Sequence, residues 1–210
     1  MAVMIDTHFY EPAQGHRLPH DPFKAIVAPR PIGWVSTVDG AGRPNLAPYS
    51  FFNAVADSPP MLAFSSVGRK DSVANCEATR AFVWNLATRP LAERMNECAA
   101  PLPHGVSEFV RAGLTPVPSR LVAPPRVAES PASLECRVVD IHRLRDLDGT
   151  AIDNWLVIGQ VVGVHIDPAF LTAEGLFDTF AARPILRAGY RADYAEIGRE
   201  AKFEMVRPTA

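Results

Sequence analysis

Several patterns are missing from this 210-residue chain, and each absence excludes a class of protein. The three cysteines, at positions 76, 98 and 136, are far apart and form no CxxC pair, which argues against a disulfide framework and against a metal site such as structural zinc. No apolar run approaches the roughly 18 to 20 residues of a membrane-spanning helix. The net charge of −2 lacks the basic excess of a nucleic-acid surface, and the N-terminus lacks a signal-peptide pattern. We therefore expect a cytoplasmic protein with reduced thiols, no metal, and neither nucleic acid nor membrane as a partner.

The sequence also lacks the motifs of the common nucleotide-binding and hydrolase sites. There is no GxGxxG after a predicted strand, no GxxxxGK[ST] and no GxSxG. These absences exclude the dinucleotide fold, the P-loop and a serine-hydrolase triad. Hydrophobic residues make up 48% of the chain and charged residues 21%, without an internal repeat, which is typical of one globular domain.

The most informative stretch runs from residue 30 to residue 53. Residues 32–38 form a short apolar run that predicts a strand, residues 39–42 supply a turn, and residues 44–53 resume as a second extended segment. The end of this hairpin carries hydroxyl groups, an amide and aromatic rings side by side. This mixture suits an aromatic heterocycle with a phosphate tail, because rings cover its faces, amides bond to its edge, and hydroxyl and N–H groups hold the phosphate.

The rest of the chain predicts short strands alternating with short helices. The expected strands are 61–66, 81–86, 131–143 and 155–166, the last of them bent or bulged at Gly159 and Gly163. The expected helices are 71–79, with Asp71 as N-cap, 90–99 and 106–112. Roughly six or seven strands joined mostly by short links favour a mainly β fold with an antiparallel, closed or split barrel.

Five short motifs follow the hairpin: SPP at 58–60, FSS at 64–66, KDS at 70–72, FVWNL at 82–86 and RAGY at 187–190. Together with the hairpin they resemble the flavin-reductase-like FMN-binding proteins, whose fold is a split β-barrel, over residues 22–195. The resemblance implies an FMN-binding split-barrel domain at 30–182, preceded by an N-terminal arm at 1–29. It also implies a tail at 183–210 that crosses to the second subunit of a homodimer.

The function implied by the resemblance is that of an FMN-dependent oxidoreductase, most simply an NAD(P)H-dependent flavin reductase. In such an enzyme hydride moves from nicotinamide to flavin, and the protein mainly positions the two rings. Three alternatives stay open: a flavin-binding electron-transfer protein, a reductase component that passes reduced flavin to a monooxygenase, and a non-enzymatic flavin-binding module. No pair of general acids stands out. His104 and His142 are the candidates for proton transfer, and a plain surface role is simpler for both.

Candidate cofactor contacts come from the local chemistry and from the resemblance together. Ser65 and Ser66 at a strand end and Lys70 at a helix start can supply the hydroxyl groups, N–H groups and cation that hold a monophosphate. The full set is Trp34, Ser36, Thr37, Ser50, Phe51, Asn53, Ser65, Ser66, Lys70, Asp71, Ser72, Asn85, Arg187 and Tyr190. For Asn85 a turn-stabilising role is as simple as a contact with the ring edge. Phe51 and Phe52 point to opposite faces of an extended segment, so that Phe51 can line the pocket while Phe52 packs in the core.

The resemblance to this family does not explain two features of the sequence. Many members of the family carry a histidine at the position that is Asn154 here, so the electron donor or acceptor of this chain can differ from theirs. The proline-rich stretch 101–125 is long for a connection, and such insertions often line a site.

Overall fold

The computed structural model describes residues 6–101 and 106–208, and strands dominate its secondary structure. The strands are β1 (Arg30–Pro31), β2 (Gly33–Val38), β3 (Pro44–Tyr49), β4 (Phe52–Asp57), β5 (Pro60–Val67), β6 (Ala81–Asn85), β7 (Pro116–Val117), β8 (Arg126–Val127), β9 (Ala132–Arg145), β10 (Ala151–Ile166), β11 (Ile185–Arg187) and β12 (Tyr194–Glu196). The helices are α1 (Phe23–Ile26), α2 (Asp71–Thr79), α3 (Ala92–Glu97), α4 (Glu108–Arg111) and α5 (Thr179–Ala182). Short 3-10 helices occupy Pro12–Gln14, Arg89–Leu91, Pro168–Phe170 and Arg199–Ala201. The mainly β prediction is confirmed.

Seven strands form the main sheet in the order β3-β2-β6-β9-β10-β5-β4, with antiparallel pairing throughout. β3 and β4 follow each other in the chain but occupy opposite ends of this order. The chain connects them through Ser50 and Phe51, and the Ser65 N–H donates to the Phe51 carbonyl oxygen (2.8 Å). The sheet therefore curls until its two ends meet. The expectation of one extended segment over 44–53 was wrong, because closure of the barrel bends the chain at Ser50–Phe51.

β2 is buried along its whole length because it lies between two apolar cores. The first core, between β2 and helices α3 and α4, includes Trp34 and Met95. The second core fills the barrel and includes Val35, Phe64 and Phe82. Side chains alternate between the two faces of a strand, and here both faces are covered by protein.

β10 bends at the two glycines that the sequence singles out. The register with β9 shifts between Ile158 and Gly159 and again between Val161 and Gly163, which confirms the predicted bulges. A Cβ at Gly159 would collide with the ring of Phe82, so the absence of a side chain there lets the barrel wall approach its own core.

The tail beyond residue 182 packs on the barrel of its own chain. β11 pairs with β1 on one side and with β12 on the other. Ile185 is buried in the first core, and its N–H donates to the Ala87 carbonyl oxygen (3.0 Å). The three strands β1, β11 and β12 form a small sheet of their own, and the Ile197 N–H donates to the Pro184 carbonyl oxygen (3.0 Å). Contact of this tail with a second subunit stays a prediction.

The three cysteines are buried and free. Burial raises the pKa of the Cys76 and Cys98 thiols to about 12, and it also raises the pKa of Cys136. The thiols are therefore protonated packing groups at neutral pH. Within the described ranges no helix is long and apolar enough to cross a membrane, and no cluster of His, Cys, Asp and Glu could hold a metal ion.

Candidate functional site

One surface of the barrel collects several exposed candidate residues. Directly paired residues of antiparallel strands point to the same side of the sheet, and Ser65 pairs with Leu156, which in turn pairs with His142. Phe51 joins this row through its bond to the Ser65 N–H. Phe64, the neighbour of Ser65 in sequence, points inward and is fully buried. We call the surface formed by Phe51, Ser65, Leu156 and His142 the outer face.

The outer face continues toward the start of α2. Val67 pairs with Asn154 in the next row, and 57% of Val67 is exposed. Gly68 then turns the chain with a φ of +80°, and its N–H donates to the Asp153 carbonyl oxygen (2.8 Å). Lys70 follows with an exposed side chain. This path places a lysine just beyond the end of β5, whose last residue, Val67, pairs with Asn154.

The start of α2 has the character of an anion site. Lys70 is the N-cap in extended conformation, and its own side chain makes no capping hydrogen bond. The expectation that Asp71 is the N-cap was wrong, because Asp71 is already the first helical residue. A helix N-terminus carries partial positive charge on its outward N–H groups, and the lysine adds a full charge.

Arg30 and Arg187 lie on the other side of Phe51. The Arg30 guanidinium carbon is 5.8 Å from the centre of the Phe51 ring, and its Nη1 donates to the carbonyl oxygens of Lys24 and Val27. Arg187 pairs with Arg30 across β1 and β11. The Arg187 guanidinium carbon lies 4.7 Å from the Tyr194 ring centre. Paired strands thus carry two cation–aromatic contacts, Arg30 with Phe51 and Arg187 with Tyr194.

Arg187 also lines a cleft of about 790 Å³ between α3 and the sheet of β11 and β12. The charged residues of its lining are Arg89, Glu93, Arg183, Arg187, Arg191 and Glu196. The two glutamates are paired with Arg89 (2.8 Å) and with Arg183 (3.0 Å). Arg187 and Arg191 have no carboxylate partner among the described residues, so the cleft carries an excess of positive charge.

Three more candidates lie at the margins of this region. Ser50 is half-buried at the corner between β3 and β4. Asn53 is exposed, and its Oδ1 accepts from the Ala54 N–H (2.9 Å). Tyr190 is 48% exposed, and its ring centre is 6.0 Å from that of His20 in the N-terminal arm. All three can reach a ligand only from the rim.

Six candidates have side chains that are buried in this fold, and their contact with a cofactor stays a prediction. They are Trp34, Ser36, Thr37, Ser66, Ser72 and Asn85. Two of them, Thr37 and Ser72, join a polar network that ties α2 to the barrel. Thr37 Oγ1 accepts from Asn75 Nδ2 (3.0 Å) and Asn45 Nδ2 (3.3 Å), and Asn45 Nδ2 also bonds to Ser72 Oγ (3.0 Å). Ser66 Oγ donates to the Gly68 carbonyl oxygen (2.9 Å) and fixes the turn before Lys70.

Ser36 and Asn85 hold the proline-rich stretch rather than facing solvent. Ser36 Oγ donates to the Pro125 carbonyl oxygen. Asn85 Oδ1 accepts from the Val127 N–H (2.9 Å) and the Ser133 hydroxyl (2.9 Å). These contacts give Asn85 the stabilising role that the sequence left open. Phe52 packs in the barrel core, where its ring stacks on Trp84 at 5.7 Å, as expected from its position after Phe51.

Of the two candidate histidines, only one lies among the described residues. His104 lies outside the described residues. His142 is exposed at the edge of the outer face, and its Nε2 is 2.6 Å from Asp140 Oδ2. The residues predicted from the sequence include Arg187 but not Arg30 or the other arginines of the cleft, Arg89, Arg183 and Arg191. An arginine between two prolines at the start of a strand, as in Pro29-Arg30-Pro31, was the available signal, since such a backbone offers few hydrogen bonds of its own.

Comparison with known proteins defines the family. The model described as flavin reductase like domain matches residues 27–181, and the chain belongs to this family. The Bacillus subtilis protein YwrF is 36% identical over 189 residues, which cover 87% of this chain and 90% of YwrF. Nitrilotriacetate monooxygenase component B from Bacillus cereus has a similar structure, with a TM-score of 0.81, 29% identity, and coverage of 98% of this chain and 99% of that one. The 2-nitrobenzoate 2-nitroreductase of Pseudomonas fluorescens has a TM-score of 0.77 and 26% identity over 89% of each chain. Membership of the family implies flavin binding and oxidoreductase chemistry, on a split-barrel fold.

Proposed function

We propose that this protein is an NAD(P)H-dependent flavin reductase that binds FMN on the outer face. The observation that carries the proposal is the arrangement around Ser65. An aromatic ring, Phe51, lies on one side, and Lys70 at an uncapped helix start lies on the other. A flavin mononucleotide requires this combination, because its ring system needs flat apolar contact and its phosphate needs a cation and N–H donors.

The residues present suit FMN better than FAD. Ser65, Lys70 and the first turn of α2 form one phosphate-binding region, and the sequence contains no glycine motif for a second phosphate. When bound, the flavin supplies the redox chemistry by accepting a hydride. The chain then has a positioning role: Phe51 covers the ring system, Arg30 holds Phe51 in place, and Ser65 and Lys70 bind the phosphate.

The arginine-rich cleft suits the second substrate. NAD(P)H carries several negative charges, and Arg187 and Arg191 offer two guanidinium groups without carboxylate partners among the described residues. Arg187 also connects the cleft to Phe51 through Arg30. We therefore propose that the nucleotide phosphates lie in the cleft while the nicotinamide reaches toward the outer face.

The identity of the flavin and the reaction can be tested on the purified protein. Heat release followed by mass analysis should give FMN, and added FMN should support oxidation of NADH or NADPH in proportion to protein concentration. FAD as the dominant species, or no flavin under saturating conditions, contradicts the cofactor assignment. Bound FMN without NAD(P)H oxidation would favour the electron-transfer alternative.

A second candidate is supported by a specific likeness. The similarity to a monooxygenase component B extends over 98% of this chain and 99% of that one. We propose that reduced flavin, rather than a reduced small product, leaves the enzyme and serves a separate monooxygenase or another electron acceptor. This role predicts weak retention of FMN after reduction, which anaerobic dialysis would measure.

We also propose that the protein is a homodimer. β4 is exposed at five of its six positions, including the apolar Val55, and Val67 adds a second exposed apolar side chain nearby. Sedimentation of the full chain, with flavin absorbance followed in the same cell, should give a flavin-loaded dimer. A flavin-loaded monomer would contradict the proposal. Truncation after Ala182 is an unsuitable test, because it also removes the buried Ile185.

A further inference from the structure

A second cavity, of about 360 Å³, lies between the proline-rich stretch and the ends of β9 and β10. It is lined by Arg120, Arg126, Ser130, Ser133, His165 and Asp167, among others. His165 is nine residues beyond Leu156 on β10, which corresponds to about 25–30 Å at the usual rise of a strand. The cavity is therefore separate from the outer face.

A buried carboxylate organises this cavity. Glu135 is fully buried and accepts from the N–H groups of Arg120 (2.7 Å), Leu121 (2.6 Å) and Val122 (3.1 Å). Its Oε1 is also 2.5 Å from His165 Nε2. Burial on its own raises the pKa of Glu135, but these hydrogen bonds and the nearby imidazole outweigh it and lower the pKa. Glu135 is therefore ionised, and it fixes both the loop and the imidazole.

Most polar side chains of the cavity lining are hydrogen-bonded within the protein, but its two arginines lack a carboxylate partner among the described residues. The Ser130 hydroxyl donates to backbone carbonyl oxygens and the Ser133 hydroxyl donates to Asn85, so both serines are engaged within the protein. Neither Arg120 nor Arg126 forms an ion pair within the described part of the chain. Asp167 accepts from the Ala169 N–H (2.9 Å) at the rim and is the one carboxylate in the lining.

The loop that carries both arginines is held in position before any ligand arrives. Ser36 and Asn85 bond to the backbone at Pro125 and Val127, and Glu135 binds the backbone at 120–122. A fixed arrangement lowers the entropy lost when a ligand binds. The proline-rich stretch is therefore a preformed wall of this cavity.

We propose that this cavity is a second binding site, which takes a small oxyanion through Arg120 and Arg126, with His165 beside them. Guanidinium groups match the geometry of carboxylates and phosphates. A volume near 360 Å³ is at the small end of ligand pockets, so the ligand is inorganic phosphate or a small carboxylate and not a nucleotide. An anion bound in this cavity would contact the proline-rich stretch through Arg120 and the adjacent Arg126. It would not contact the proposed flavin site on the outer face.

Calorimetric titration of the purified protein with phosphate and, separately, with malonate tests the site at constant ionic strength set by chloride. We expect saturable binding of at least one anion, with its affinity lowered about tenfold or more in Arg120→Gln and Arg126→Gln. Arg137→Gln is the matched control, because Arg137 is exposed on β9 and forms no ion pair with a described residue. The anion that binds distinguishes a phosphate ligand from a carboxylate ligand.

Phosphate can also bind near Lys70, so Lys70→Ala serves as a second comparison. The proposal requires that the anion binds Lys70→Ala with the affinity of the wild type at this cavity. The two arginine variants should bind it about tenfold or more weakly. The reverse pattern would overturn the proposal, as would equal affinity in all variants or no saturable binding of either anion. Arg120 is exposed, so Arg120→Gln keeps the test valid even if Arg126→Gln fails to fold.

Discussion

Replacement of Glu135 by alanine should lower the free energy of unfolding by about 3–5 kcal/mol, because several hydrogen-bond donors lose the buried carboxylate that accepts from them. The variant leaves three backbone N–H groups of the proline-rich stretch without their acceptor and His165 without its partner. Urea denaturation followed by fluorescence measures the change. Glu200→Ala, at an exposed glutamate, is the control and should change stability by less than about 0.5 kcal/mol.

Glu135 should also make the folding stability depend on pH, in a direction that its pKa determines. The pKa of Glu135 is lower in the folded protein than its ordinary value of 4.5, so its contribution to stability is complete above that value. It is lost as the pH falls through the lowered folded pKa. The stability difference between the wild type and Glu135→Gln should therefore be large at neutral pH and shrink under acid conditions. A difference that stays constant with pH, or a loss below about 1 kcal/mol in Glu135→Ala, would contradict the assigned role.

Lys70→Ala should weaken FMN binding roughly ten- to a hundred-fold, because a charge-assisted contact contributes about 1.5–3 kcal/mol. The side chain is exposed, so the loss should be smaller at high salt. Fluorescence titration of the apoprotein with FMN measures the affinity. Lys202→Ala, at an exposed lysine in the tail, should bind FMN like the wild type. Unchanged affinity in Lys70→Ala would show that Lys70 faces solvent without contacting FMN, and that the phosphate binds elsewhere.

The fold class could be predicted from the sequence, because the residue patterns of strands and turns are local signals. The hairpin of β2 and β3, the bulges of β10 and the helix at 71–79 all follow from neighbours in the chain. The burial of Ser36 and Thr37 could not be predicted, since β2 is covered on one face by α3 and α4 and on the other by the barrel core. Those contacts join residues far apart in sequence.

The site was predictable in part for the same reason. Ser65 and Lys70 lie at a strand end and a helix start, which sequence patterns locate well. The bend at Ser50–Phe51 depends on closure of a seven-stranded sheet, and the pairing of Arg30 with Arg187 depends on the tail returning to β1. The charge of the large cleft was not predictable, because its arginines come from two segments about 90 residues apart.

Neighbouring side chains on β5 and β10 point to opposite faces of the sheet, and this separates two kinds of position. Phe64 and Val157 are fully buried in the barrel core, whereas Ser65, Asn154 and Leu156 are half-buried on the outer face. We expect substitutions at the outward positions, Asn154 among them, to change what the outer face contacts more than they change the stability of the barrel. Changes in ligand contact and changes in stability should therefore arise at different positions of the same two strands.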